Sequence, residues 1–198
     1  VIEFWKEVAK KHNIPNVEHT CIQCLGTNRV RTREIFLENY GADFPFDPYR
    51  AEVTELFNTH YKGVPLPTKP GVRELLSYLQ EQDIKVGLAS STAQHLVRDE
   101  IGTAGLLPYF QTLVCGDMVE HSKPAPDIFL KACEILNADP TKSIAIEDSF
   151  NGIRSAHCAG MTPIMVPDQV QPTDEIRALA FHVMPSLLDV LNWLKTLA

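Results

Sequence analysis

The chain has 198 residues, 44% of them apolar, enough to bury a sizeable core as one main domain with a smaller one beside it. Its formal charge of −7 and pI near 5.5 argue against nucleic acid as a partner. No apolar run approaches the ~20 residues needed to span a bilayer, and no signal peptide is visible at the start of the sequence, so a cytoplasmic enzyme domain without membrane contact is expected.

From Val1 to His60 the apolar spacing predicts helices and no convincing strand. Phe4, Val8 and Ala9 share one helical face, Val30, Ile35 and Phe36 suggest a second, and Val53, Leu56 and Phe57 a third. Cys21 and Cys24, with His19 close by, form a CxxC. Zinc would need further ligands at matching spacing, and Cys115, Cys133 and Cys158 are scattered singly, so the pair is read as sharing a helix face. Cys115 and Cys133 follow apolar patterns and read as small buried hydrophobes. Lys62 to Gly71 then breaks the periodicity, and its prolines favour a stiff, extended hinge. Two units result: a helical one over residues 1–63 and an α/β one over residues 64–198.

Beyond the hinge the pattern alternates. Helix is expected over Val72 to Leu79, strand over Ile84 to Ala89, helix over Leu96 to Ala104 and strand over Thr112 to Cys115. Helix follows over Ile128 to Leu136, strand over Ile144 to Ile146, helix over Ile153 to Ala159 and strand over Thr162 to Val166. Such alternation implies a Rossmann-like parallel sheet with helices on both faces and right-handed crossovers. The tail from Pro185 through Leu187, Val190, Leu191 and Leu194 is an amphipathic helix, its leucines and Trp193 reading as core.

Three strand or helix ends carry the chemistry. Ile144-Ala145-Ile146 ends in Glu147-Asp148-Ser149, followed by Phe150-Asn151-Gly152. Ligands of open α/β sheets bind outside the carboxyl ends of the strands, and paired acids there suit Mg²⁺, which takes one or two carboxylates and completes its shell with phosphate oxygens and water. The plainer alternative is that Asp148 or Ser149 caps the next helix and Glu147 is solvated. The strand ending at Ala89 runs into Ser90-Ser91-Thr92, hydroxyls at a helix start that suit an anion, or that serve as an N-cap through Ser91 or Thr92. Lys123, in His121-Ser122-Lys123-Pro124-Ala125-Pro126-Asp127, stands just before a proline-defined helix start, where it would bridge a phosphate oxygen and a carboxylate, or lie in an ordinary surface loop.

Ser90 after its strand, Lys123 in Ser-Lys-Pro-Ala-Pro-Asp, and Glu147-Asp148-Ser149 with Gly152 together resemble, in order, the second, third and fourth motifs of the haloacid dehalogenase superfamily, in its β-phosphoglucomutase-like branch. The resemblance spans essentially the whole chain. It implies a Rossmann-like core with a small all-helical cap, and Mg²⁺-dependent phosphoryl transfer through an aspartyl-phosphate. On that pattern Asp148 ligates Mg²⁺, with Glu147 ligating directly or through water. Ser90 and Ser91 bind the phosphoryl group, and Lys123 balances its charge and that of the nucleophile. Ser122, Ser149 and Asn151 orient loops. The family's first motif, an Asp-x-Asp after the opening strand, does not occur in the 198 residues. A longer natural polypeptide is expected, because losing the central strand of a parallel sheet would expose backbone groups on both neighbours.

Substrate choice is expected in the cap. Gly26-Thr27-Asn28-Arg29 resembles a loop that presents an arginine, so Arg29 is a candidate for a second anionic group, against the plainer reading of a solvent-facing charge. Leu25 and Ala93 stand where the mutases place lysines, which favours a phosphatase of a small phosphorylated metabolite such as a sugar phosphate, with a phosphomutase as the alternative. A dehalogenase has no use for the Glu147-Asp148 pair. From a different class, a non-catalytic phosphate-binding protein would keep the later motifs without the first. A monomer or weak dimer is expected.

Overall fold

The structure, a computed structural model, describes residues 2–62 and 66–197; the expected boundary between residues 63 and 64 lies outside them. Four helices come first: α1 (Ile2–Lys11), α2 (Val17–Cys24), α3 (Arg29–Tyr40) and α4 (Phe46–His60). They close around an aromatic centre in which the Trp5 and Phe36 rings lie 5.2 Å apart and the Tyr49 hydroxyl donates to the Trp5 carbonyl at 2.7 Å. Burying this apolar surface is what holds short helices together, since helices of 8 to 15 residues are marginal alone. Two expected faces shift. Trp5, not Phe4, is the deeply placed aromatic of α1, and Val30 is 66% exposed because α3 turns Thr32, Ile35 and Phe36 inward.

The α/β part follows as α5 (Val72–Glu81), β1 (Gly87–Ser90), α6 (Gln94–Thr103), β2 (Thr112–Cys115), α7 (Asp127–Leu136), β3 (Ile144–Glu147), α8 (Phe150–Cys158), β4 (Thr162–Met165), α9 (Asp174–Leu179), β5 (His182–Val183) and α10 (Leu187–Leu194). β1 starts three residues later than the apolar run suggests. Ile84 is 45% exposed, and Val86 is tied at its N–H to the Gln111 side chain and at its carbonyl to the Gln111 N–H. α8 starts earlier than expected, at Phe150, because Ser149 caps it by accepting from the Gly152 N–H at 3.0 Å. The six-residue α9 and the two-residue β5 are too short to show a period in the sequence.

Strand alternation places helices on both faces. Leu88 of β1 and Leu113 and Cys115 of β2 pack with Val97 of α6, whereas Ala89 and Val114 pack with Ile128, Phe129 and Ala132 of α7. Ile146, Ile164 and Val166 meet Leu75 of α5 and Val190 of α10, whereas Met165 meets Ile153 of α8 and Ile176 of α9.

All pairings among the described strands are parallel, but they form two sheets, β1 with β2 and β3 with β4 and β5. β1 and β3 therefore each keep one unpaired edge, and residues of both line the same cavity. No helix among the described residues is long and apolar enough to cross a membrane.

Candidate active site

Ser90 ends β1 and Glu147 ends β3, so both open at the carboxyl ends of their strands into one cavity of about 430 Å³. Lys123 enters from the loop before α7. Its side chain is 4% exposed and its ammonium is ion-paired with Glu147, itself 9% exposed. Lys123 Nζ also donates to the Ala89 carbonyl on the open edge of β1, at 3.2 Å, and lies 4.9 Å from the Phe129 ring centroid. A buried ammonium is tolerated when its donors are met in this way. The second Glu147 oxygen accepts from the Ser149 hydroxyl at 3.2 Å and the Asp148 N–H at 3.3 Å. Gly152 is required by this packing: a β-carbon there would sit 2.0 Å from Glu147 Oε2. Lys123 thus occupies a buried bridge rather than a surface loop, and Glu147 is its counter-ion rather than a solvated acid.

Asp148 faces the cavity with 47% of its side chain open. Burial of its surroundings raises its pKa above the usual carboxylate value, and the charges of Glu147 and then of Asp168 act in the same direction. Lys69 opposes them, lying 3.9 Å from Asp148 and 3.7 Å from Asp168. Neither Lys69 nor Asp168 stood out in the sequence. Asp168 follows the end of β4 and carries the same strand-end signal as Asp148, whereas Lys69 lies in the proline-rich hinge and has no such signal. This excess of negative charge fits a divalent cation, and Asp148 is the carboxylate free to take it, since Glu147 is committed to Lys123. Among the described residues no group of three or more His, Cys, Asp or Glu side chains gathers around one point. The protein itself thus supplies a sparse oxygen set, as Mg²⁺ tolerates when phosphate and water complete the shell.

The hydroxyl cluster divides its work. Ser90 Oγ accepts from the Thr92 N–H at 3.2 Å and so keeps its own proton to give. Ser91 and Thr92 do not cap α6. The Gln94 N–H bonds instead to the Asp117 carboxylate at 3.0 Å, and Ser91 donates to the Gly26 carbonyl. Arg29 is not brought to this cavity. It donates to Asp47 at 2.8 Å and lines a separate groove with Arg50 and Lys62. Cys21 and Cys24 are thiols pushed up to about 12 by burial, which suits neither redox exchange nor metal ligation.

The family described as haloacid dehalogenase-like hydrolase matches residues 1–166. A phosphorylated carbohydrates phosphatase of Thermotoga maritima is 30% identical over 162 residues, covering 82% of this chain and 74% of its own. A β-phosphoglucomutase of Bacillus subtilis is 33% identical over 178 residues, covering 85% of this chain and 76% of its own. In fold, the crystal structure of a β-phosphoglucomutase from Clostridium difficile superposes with a TM-score of 0.77 at 23% identity, over 98% of this chain and 87% of that one.

Proposed function

The chain belongs to the haloacid dehalogenase-like hydrolase family, a family of enzymes, and from that premise we propose that it is a Mg²⁺-dependent phosphatase of small phosphorylated carbohydrates. The observation that carries this reading is the buried Lys123 ammonium, held by Glu147 and Ala89 at the mouth of two strands, in one cavity with Ser90 and Asp148.

Each residue has a distinct task. Ser90 donates to a phosphoryl oxygen. Lys123 places a fixed positive charge beside the transferring group, and Glu147 keeps that charge in place through substrate binding and release. Asp148 would hold Mg²⁺, which when bound neutralises charge on the phosphoryl oxygens. Phosphoryl transfer draws most of its catalysis from such positioning and electrostatics. The aspartate nucleophile implied by the family pattern would ride on an extended segment between β1 and β3. Both strands offer open backbone edges there, and both end at the site. In the scheme the family pattern implies, that carboxylate would take the phosphoryl group as the sugar oxygen leaves as an alcohol, protonated by the pattern's second aspartate, and water would then cleave the aspartyl-phosphate to inorganic phosphate and the free carboxylate.

Two positions favour a phosphatase over a mutase. Leu25 packs into the apolar cluster of Ile153, Met165 and Ile176, and Ala93 precedes α6 without a charge, so neither supplies a cation for the far end of a bisphosphate. The four-helix unit serves as the cap, and the substrate is expected to be a cytoplasmic sugar phosphate.

The test is calorimetric titration of inorganic phosphate into the protein in Mg²⁺ and in EDTA, with Asp148→Asn alongside. Phosphate should bind in Mg²⁺ only, and the variant should lose that dependence. Equal affinity under both conditions would refute the metal-assisted site.

A further inference from the structure

Lys69 and Asp168 have no task in the proposed reaction, yet both stand at the carboxylate that would hold Mg²⁺. Lys69 Nζ lies 3.9 Å from Asp148 Oδ2 and 3.7 Å from Asp168 Oδ2, and all three side chains are partly open to water. One ammonium is therefore shared between two carboxylates. The sharing matters to Asp148: the Lys69 charge acts to keep it ionised, whereas the Asp168 charge acts against ionisation.

The three groups come from separate parts of the chain, each fixed at its base. Lys69 precedes Pro70, whose ring disfavours helical backbone at Lys69, and the Lys69 carbonyl accepts from the Val72 N–H at 3.3 Å where α5 begins. Gly71 follows at φ +85°, and a β-carbon there would lie 2.8 Å from the Leu188 nitrogen, so this turn is pressed against the start of α10. Asp168 stands two residues beyond Val166, whose N–H donates to the Glu147 carbonyl at 2.8 Å and ties the end of β4 to the end of β3, next to Asp148. Packing thus sets the backbone positions, while the flexible four-carbon stem of the lysine leaves its ammonium free to favour either carboxylate.

We propose that Lys69 competes with Mg²⁺ for Asp148 and that Asp168 receives the displaced ammonium, so that this pair sets how tightly the site holds its cation. The inference rests on the metal-assisted phosphatase reading above. An ammonium and a divalent cation at one carboxylate repel each other. Even at the permittivity of water a unit charge about 4 Å away shifts a binding equilibrium by roughly 5-fold, and by more in a partly buried site. Lys69 therefore weakens cation binding, and Asp168 limits the weakening, because an ammonium that keeps one carboxylate loses little on leaving the other. The result is a readily exchanged cation. Lys69 also lines the cavity that holds Ser90 and Lys123, so its charge stays beside the phosphoryl site after the exchange.

Calorimetric titration of Mg²⁺ alone into the intact protein, at fixed ionic strength, reads the competition without turnover. Lys69→Met should tighten Mg²⁺ binding by roughly 5-fold or more, and Lys69→Arg, which keeps the charge, should lie closer to wild type than to the methionine variant. Asp168→Asn should weaken Mg²⁺ binding by a larger factor in the wild-type background than in Lys69→Met, because a receiver is lost only where the lysine is present. Affinity that depends on Asp148 yet is unchanged or weaker in Lys69→Met would overturn the competition while the metal site stands. Equal losses from Asp168→Asn in the two backgrounds would overturn its part as receiver. Mg²⁺ bound equally by wild type and Asp148→Asn, or by neither, would overturn the metal-assisted reading and the competition with it.

Discussion

Replacing Lys123 with methionine should be among the most damaging single changes outside the apolar cores. The variant keeps the length of the stem but removes an ammonium that is 4% exposed, leaving Glu147, 9% exposed, with only the Ser149 hydroxyl and the Asp148 N–H as donors. Removing one member of a buried pair strands the other charge and costs about 3–5 kcal/mol, and loss of the contact with Phe129 adds about 0.5–1 kcal/mol. For a chain of this length 1 kcal/mol corresponds to about 2–4 °C, so a fall in Tm of roughly 7–24 °C is expected, with a matching shift in the urea midpoint. Replacing both partners, Lys123→Met with Glu147→Leu, removes the stranded charge and should recover most of the loss while phosphate binding stays abolished. The reasoning is refuted if Lys123→Met costs less than about 1 kcal/mol, or if the double variant is no more stable than the single one.

Gly152→Ala places a methyl group 2.0 Å from Glu147 Oε2, and since that carboxylate is held by Lys123 the clash should cost about 1–3 kcal/mol in urea unfolding and weaken phosphate binding; a neutral result would mean that Glu147 is free to swing away. Asp148 has a raised pKa in the folded state, so its contribution to stability is full below the ordinary value of 3.8 and is lost as pH rises through the raised one. Wild type in EDTA should therefore lose stability relative to Asp148→Asn across that window, and Mg²⁺ should return it in wild type alone; parallel Tm–pH curves for the two proteins would contradict the assignment. Iodoacetamide at pH 8 should add one adduct rapidly, at the exposed Cys158, and leave Cys21 and Cys24 untouched, as intact mass would show; early labelling of the pair would reopen a redox role.

Much of this organisation is legible in the amino-acid sequence, and the reasons differ by element. Helices α1, α3 and α4 and the βα alternation show because an amphipathic stripe or a continuous apolar run is a local property, whereas α2 is marked only by the spacing of Cys21 and Cys24. The strand ends at Ser90 and Glu147 are legible because an apolar run stops abruptly at polar groups. Ser149 acts both as the cap of α8 and as a donor to Glu147, and the cap is the part that a serine three residues before Gly152 makes legible. The start of β1 is not legible because Ile84 and Val86 continue the apolar pattern outside the ladder, and nothing local marks Gly87 as the first paired residue. Asp117 capping α6 from 23 residues away and Lys69 between Asp148 and Asp168 are products of tertiary packing and leave no periodic trace. Arg29 followed a loop resemblance alone, and its partner Asp47 lies on a different helix that the resemblance did not weigh.

The measurement that bears most directly on the account is release of inorganic phosphate from a panel of hexose and pentose monophosphates by the intact protein, in Mg²⁺ and in EDTA, beside Asp148→Asn. Turnover in Mg²⁺ that disappears in EDTA and in the variant is the predicted result. Turnover that persists in EDTA or in Asp148→Asn, or no phosphate release from any sugar phosphate in Mg²⁺, would contradict it.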